Sequence, residues 1–461
     1  MTCPLFSVFQ ALPDPRCSRK KRYNMAEMLA CLVIASLCRN DSGTTMVAWC
    51  KEHIDDLRGI GLTLENGVAS YDTHLRMLRT MDIEAFCMEF ITWANDLLVL
   101  SGVHLAIDGK GLRGGTNRIC GKQTPYMLNV IETSTGIEIA SWPICEKSNE
   151  IKAIPDILQL IALTGNLVTI DAIGTNANII GVLEQYDADY MLLVKRNNPE
   201  AYEALMAYFA QKAEEQAEQN KADEPAVQQN PENVSHSHHS DIFEKDTIFD
   251  NSGWKYERNR ERDEYRKTQV IMHQSPEEQC DWPEGAKALS PVSSLGELSC
   301  LFRTIGWSTN VTVPVERDPR TEEDITRSRE EYLKLGSRKN PKPPVSTDSE
   351  SSSYQEYGMI SNRVFTSTEM MEIKRDHWAI EAHHYSIDQT FREDENPAHS
   401  SKFSSSMIRK IAYNLIRWSI AAGHLEEDHS MKVSRVKVEA RPDLIKMLIF
   451  EPLKALQVSK S

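Results

Sequence analysis

His104-Leu105-Ala106-Ile107-Asp108-Gly109-Lys110 is an apolar run that ends on a carboxylate. It reads as a buried β-strand that carries Asp108 to the edge of a sheet, where ligands and metals can reach it. A second run of the same kind, Asn166-Leu167-Val168-Thr169-Ile170-Asp171-Ala172, lies about 60 residues further on. Two such strands would bring together two hard oxygen ligands, as a magnesium site requires. A third acid, Glu381, lies downstream in Arg375-Asp376-His377-Trp378-Ala379-Ile380-Glu381.

The surrounding pattern gives the fold class. After the first strand, Tyr126–Glu132 and Ile137–Trp142 read as a hairpin around Ser134-Thr135-Gly136. A helix over Ala153–Leu163, the second strand, a helix over Ala177–Gln185 and a strand over Tyr190–Lys195 complete a β-β-β-α-β-α-β order. That order suits an α/β fold, a mixed sheet with flanking helices. Upstream, residues 1–100 form a helical N-terminal domain, with helices over Met25–Ala35, His74–Met81 and Ile83–Leu98, and Ser70 or Asp72 as an N-cap. Residues 101–200 are the first part of the sheet domain. Residues 201–360 hold acidic and Ser/Pro-rich loops, with short β-like pieces over 255–316 and an exposed loop over 317–355. Residues 361–461 return to helices, carry Glu381 and end in a basic tail.

Composition narrows the function classes. The 461 residues are 41% hydrophobic with net charge −15, which argues against a globally basic nucleic-acid binder but leaves local basic patches open. One such segment, Arg16 to Arg22, is either a solvated loop or a phosphate-contacting arm. The last sixty residues also lean basic, with Lys402, Arg409, Lys410, Arg417, Lys432, Arg435 and Lys437. The ten cysteines form no Cys-x-x-Cys pair, so buried thiols in a reducing compartment are expected. The longest apolar stretch, near Met28–Leu37, is about ten residues, too short for a bilayer. The start, Met1-Thr2-Cys3-Pro4-Leu5-Phe6, lacks a signal-peptide pattern, and a cytoplasmic protein without membrane contact is expected. The cluster His236-Ser237-His238-His239 is a polar loop or, with less support, a metal site.

The acidic trio suits two Mg2+ or Mn2+ ions held about 3.5–4 Å apart for displacement at phosphorus. The plainer alternative is that Asp108 and Asp171 cap strand ends before turns. Their neighbours favour the metal reading. Lys110 and Arg113 flank Asp108 in a Gly-rich loop, and Lys195-Arg196 end the later strand, so carboxylates stand beside cations fit for a polyanion. For Lys110 and Lys195 a surface-solubility role stays open. Gly111, Gly114 and Gly115 belong to no P-loop pattern. Arg375 approaches phosphate or pairs with a carboxylate. His377 and Trp378 read as packing residues, with base stacking as the alternative for Trp378.

Several motifs in one order resemble the DDE transposases of bacterial insertion sequences, specifically the H-repeat-associated group. They are Phe9–Arg16, Ser70-Tyr71-Asp72-Thr73, Ile107–Gly114, Lys147-Ser148-Asn149-Glu150-Ile151-Lys152-Ala153-Ile154-Pro155, Thr169–Ala172, Asp189–Lys195 with Asn198-Pro199, His377–Glu381, and Phe391-Arg392-Glu393-Asp394. The resemblance implies an RNase-H-like catalytic fold, interrupted over residues 201–360 by a β-rich insertion before Glu381, with Asp108, Asp171 and Glu381 as a catalytic triad for two divalent ions. It implies double-stranded DNA, both transposon ends and target, as partner, with Lys110, Arg113, Lys195 and Arg375 on phosphate. A homodimer during transposition is expected because two ends are handled together. The chain departs from the pattern after Glu381, with Ala382-His383-His384-Tyr385-Ser386 for Asn-x-Leu-His-Trp, and after Asp171, with Ile173-Gly174-Thr175-Asn176 for Met-Gly-Cys-Gln. A catalytically degenerate DNA-binding descendant is therefore the alternative, and a nuclease without strand joining is a third.

Overall fold

A computed structural model describes residues 3–17, 19, 21–113, 124–144, 150–222, 242–243, 247–259, 262–273, 302–314, 353–395 and 401–458. Gly114, Gly115, Lys147-Ser148-Asn149, the His236–His239 cluster and positions 317–352 lie outside these residues.

Helices α1 (Leu5–Ala11), α2 (Met25–Leu37), α3 (Gly43–Glu52), α4 (Ile54–Ile60), α5 (Tyr71–Thr80) and α6 (Ile83–Asn95) come first. Strands β1 (Leu98–Val99), β2 (His104–Gly111), β3 (Tyr126–Glu132) and β4 (Glu138–Ile144) follow, then α7 (Glu150–Leu158), β5 (Leu167–Ile170), α8 (Ala177–Gln185), β6 (Asp189–Val194) and α9 (Pro199–Ala222). Strands β7 (Ile242–Phe243), β8 (Thr247–Asn259), β9 (Arg262–His273), β10 (Thr304–Pro314) and β11 (Ser353–Ser361) are next. The chain closes with α10 (Ser367–Asp376), α11 (Ala379–Gln389), α12 (Lys402–Ala421), α13 (Met431–Glu439), α14 (Pro442–Phe450) and β12 (Leu456–Gln457). The architecture is mixed α/β, as expected.

The chain forms two compact units, one of Met1–Thr169, Tyr186–Ala188 and Asp376–Ser461, the other of Ile170–Gln185 and Asp189–Arg375. In the first, β4, β3, β2 and β5 are successive neighbours, with β2–β3 and β3–β4 antiparallel. Helices α11 and α12 pack on this sheet, and α12 also meets α2, α5 and α6. Helix α2 is buried on every side; its sequence is apolar apart from Glu27 and Ser36, and the Glu27 carboxylate accepts from Thr63 N and Leu64 N at 2.7 and 3.0 Å. Ser70, rather than Asp72, caps α5, its hydroxyl accepting from Thr73 N at 3.3 Å.

One irregularity in this sheet matters for chemistry. Asn129 faces Ser141 and Val130 faces Ala140, but Ile131 faces Glu138, because a bulge intervenes at Val130/Ile131. A one-residue offset moves a side chain to the other face of a strand. Glu138 therefore joins the face that carries Asn129, Ser141 and Asp108, where regular alternation would put Ile139. Its backbone is satisfied by Asn414 of α12, which accepts from Glu138 N at 2.9 Å and donates to Glu138 O at 2.7 Å.

The second unit carries the strand order β6-β11-β10-β9-β8-β7, with antiparallel pairing in each of these steps. Helix α8 packs on β6, and α9 packs on β10 and β11. Asp250 at the β8 bulge accepts from Ser367 N and Oγ at 2.8 and 2.7 Å, fixing the start of α10. Strand β11 begins at Ser353, inside the stretch expected to be an exposed loop. Among the described residues no helix is long and apolar enough to cross a membrane. Cys31, Cys38, Cys50 and Cys87 are buried free thiols, in line with their apolar sequence contexts.

Candidate active site

Two elements of the first unit run side by side with matched spacing. Ala106, Asp108 and Lys110 alternate onto one face of β2. Ile380, His384 and Asp388 recur every four residues along α11 and share a helix face. Strand residues two apart rise about 6.6 Å and helix residues four apart about 6 Å, so the two series stay in step. Ile380 packs against Ala106 and Ile131. His384 Nδ1 stands 3.6 Å from Asp108 Oδ2. Asp388 Oδ1 receives Lys110 Nζ at 2.6 Å.

Asp108 is half-buried in the middle rung. Glu381 lies three residues before His384, on the same side of α11, and is exposed. The structure thus brings Asp108 and Glu381 onto two packed elements of one unit, with His384 beside both.

Lys110 departs from the surface reading. It is 5% exposed and bonded to Asp388 and Glu393. Burial opposes its charge, but those two carboxylates more than offset that and raise its pKa. Glu393, although buried, is pulled down to about 2 by Lys110 and Arg409. A cation so enclosed is a packing and charge-balancing element rather than a free phosphate contact. The same correction applies to the basic tail, where Lys402, Arg409, Lys410 and Arg435 are buried. Arg113 is exposed, and its backbone N–H donates to Asp394 Oδ1 at 3.0 Å.

Behind Asp108 lies a buried polar chain. Asn129, which faces Asp108 across β2–β3, joins His384 through Nδ2···Nε2 at 2.9 Å. Lys410 Nζ donates to Asn129 Oδ1, to Glu138 Oε1 at 2.6 Å and to Ser141 Oγ at 2.8 Å. His383 Nε2 stands 3.1 Å from Glu138 Oε2. Burial opposes the charge on Glu138, yet Lys410 and His383 hold its carboxyl below the usual range. Burial holds His384 well below the usual histidine range, helped by the neighbouring His383, Lys110 and Lys410. The sequence marks Lys410 only as basic, and nothing in its local pattern announces Asn129 or Glu138. His384 carries a signal, lying three residues after Glu381 in the segment that departs from the family pattern.

In the second unit Asp171 directly follows β5 and opens a short 3-10 turn, Ala172–Gly174. Lys195 Nζ reaches its Oδ1 at 2.7 Å. Burial opposes the charge, but Lys195 holds the Asp171 carboxyl below its ordinary range, aided by the Ala172 N–H and Lys374. Both Asp171 and Lys195 are partly exposed. Arg375 is paired with Glu257, the carboxylate option for that residue. His377 is buried against Thr169 at 2.8 Å as packing predicts, whereas Trp378 is 40% exposed at the start of α11.

The sequence has relatives among known proteins. Residues 6–94 match the family model described as DDE_Tnp_1-associated, and residues 100–415 match the model described as Transposase DDE domain. "Putative transposase YncI" of Escherichia coli K12 is 30% identical over 206 residues, 44% of this chain and 83% of that protein. The protein of the same name in Escherichia coli O157:H7 is also 30% identical over 206 residues, but there the match spans 53% of its length. "H repeat-associated putative transposase YhhI" of Escherichia coli K12 is 27% identical over 185 residues, 40% of this chain and 49% of that protein. A chain in a cryo-EM structure of the piggyBac transposase synaptic complex with hairpin DNA aligns over 96% of this chain and 76% of its own. Its 10% identity and TM-score of 0.40 are too low to bear on the fold. The match over residues 100–415, with the associated domain before it, assigns the family: the chain belongs to the DDE transposases, in the H repeat-associated group.

Proposed function

We propose that this protein is a DNA transposase that cuts and joins phosphodiester bonds at the ends of an insertion sequence. Asp108, Asp171 and Glu381 act as the metal-binding triad of an RNase-H-like domain, and double-stranded DNA is the partner. The observation that carries this reading is the family match over residues 100–415, which includes all three acids.

The donor chemistry fits two Mg2+ or Mn2+ ions. All three groups are hard carboxylate oxygens, Glu381 is exposed, and Asp171 is held anionic by Lys195. When bound, the ions supply Lewis acidity, activating the attacking oxygen and stabilising the leaving one. The chain's own residues hold and orient. Asp108 is carried by a buried strand and Glu381 by the helix packed on it. Lys195 neutralises Asp171, and would be available to phosphate if that carboxylate held a metal ion instead. Arg113, itself exposed, contacts DNA backbone, and Arg375 exchanges Glu257 for phosphate. Two ends handled together require a homodimer.

Metal-dependent nicking and strand transfer on linear DNA carrying the element's terminal repeats tests the proposal. Wild type yields joined product, while Asp108→Asn, Asp171→Asn and Glu381→Gln each reduce it to background. Activity that survives Asp108→Ala with Asp171→Ala overturns it. The replaced residues after Glu381 favour the second reading, a degenerate DNA-binding descendant, for which end-specific binding without cleavage is the result. Nicking without any joined product identifies a nuclease.

A further inference from the structure

The polar chain behind Asp108 fixes a proton. Lys410 is a donor only, so the Asn129 atom it meets is the amide oxygen. Ser141 Oγ, itself receiving Lys410, donates to the same Oδ1 at 3.2 Å. Two donors on one oxygen leave the Asn129 NH2 pointing to His384. An amide NH2 only donates, so His384 Nε2, 2.9 Å away, carries a lone pair. The neutral ring's proton then resides on Nδ1, the nitrogen 3.6 Å from Asp108 Oδ2.

We propose that His384 is a positioning residue for Asp108, held in the Nδ1–H form by Asn129, whose amide is oriented by the buried Lys410. This rests on the reading of Asp108 as a metal ligand. The separation of 3.6 Å lies just outside hydrogen-bond range, so a small carboxylate rotation brings Oδ2 onto the N–H and fixes the orientation of the carboxylate. A ring protonated at Nδ1 cannot itself ligate through that atom, so His384 orients a ligand instead of serving as one. The β4 bulge belongs to the same device, because it turns Glu138 onto this face to balance Lys410.

Long-range proton–nitrogen correlation spectra of the full chain labelled with 15N-histidine give the direct test. The His384 signals are assigned by their loss in His384→Asn. The wild-type ring is expected to show a protonated Nδ1 and a bare Nε2, and Asn129→Asp to reverse the two. A wild-type ring protonated at Nε2 overturns the proposal, whatever the variants do. Mn2+ titration followed by electron paramagnetic resonance reads the consequence. His384→Leu fills the space but removes the donor, and weakens Mn2+ binding by about 10–100-fold. His384→Asn keeps a donor at the Nδ1 position and retains most of the affinity. Equal affinities in the two variants overturn the positioning role. Unchanged Mn2+ binding in Asp108→Ala instead sinks the metal reading of Asp108, while the spectra still decide the tautomer.

Discussion

Lys410 Nζ donates to Glu138 Oε1 across 2.6 Å, and neither side chain reaches solvent. Taking two charges out of water is costly, and removing one partner strands the other. Lys410→Met is therefore expected to destabilise the first unit by about 3–5 kcal/mol. Lys410→Met with Glu138→Gln should recover part of that loss, because the uncompensated carboxylate disappears. Urea unfolding of the three proteins measures it. A single-variant loss under about 1 kcal/mol would place the pair in a far wetter environment than the structure describes.

Lys110 makes a similar prediction with a functional contrast. Asp388 and Glu393 enclose it, so Lys110→Met should also cost about 3–5 kcal/mol of stability. It should leave the salt dependence of DNA binding unchanged. Lys195→Ala should do the reverse, lowering the slope of log affinity against log salt by about 1 with little effect on stability. A reduced slope for Lys110→Met would restore a phosphate contact to that residue.

Much of the framework is legible in the sequence. The apolar run at His104–Ile107 marks β2, Ser134-Thr135-Gly136 marks the β3–β4 hairpin, and α8 spans Ala177–Gln185 as its pattern predicts. What escapes is set by distant partners or small offsets. Lys110 looks like a surface cation because Asp388 and Glu393 arrive about 280 residues later. Lys410 looks like the polar stripe of an amphipathic helix until Glu138 is seen opposite. Glu138 reads as a strand residue facing away, because a single-residue bulge leaves no trace in a period-2 pattern. Ser353–Ser361 is masked by its serines, and its pairing with β10 and β6 carries it as a strand. For the site, acids that close apolar runs and their cationic neighbours are local signals, although β2 continues past Asp108 to Gly111 because β3 pairs with it that far; the Asn129–His384 link is tertiary.

His104 predicts a pH dependence. Its Nε2 meets Thr169 Oγ1 at 2.8 Å, and the same hydroxyl meets His377 Nδ1 at 2.8 Å. Burial pushes the His104 pKa down from 6.5 to about 3. The unfolded chain therefore binds a proton below about pH 6.5 that the folded chain refuses until about pH 3, and stability falls as pH falls through that window. The contribution of this one group is roughly 1.4 kcal/mol per pH unit. His74, lowered to about 4 by burial, adds to the wild-type slope in the same direction. Comparing wild type with His104→Gln at pH 7, 6 and 5 isolates His104: the stability gap should move by about that amount per unit below pH 6.5. Parallel curves would mean the ring titrates normally.

Gly136 closes the β3–β4 turn with φ +68°, a backbone conformation that side chains resist. A Cβ there would also lie 2.8 Å from Arg417 Nη2 and 2.9 Å from Nε. Arg417 is held in place, since its Nε donates to Thr135 O at 2.5 Å. Gly165 supplies the control, with φ +69° and nothing within 4 Å of a built Cβ. Gly165→Ala should therefore report backbone strain alone, about 1–2 kcal/mol. Gly136→Ala should exceed it, because Arg417 must also give up its carbonyl, a loss of about 1 kcal/mol more. The comparison uses denaturation midpoints of the two variants at equal slope. If the cost of Gly136→Ala, measured against Arg417→Ala alone, falls to the Gly165→Ala value, the excess belongs to that guanidinium. If it does not, the excess lies in the turn's own backbone.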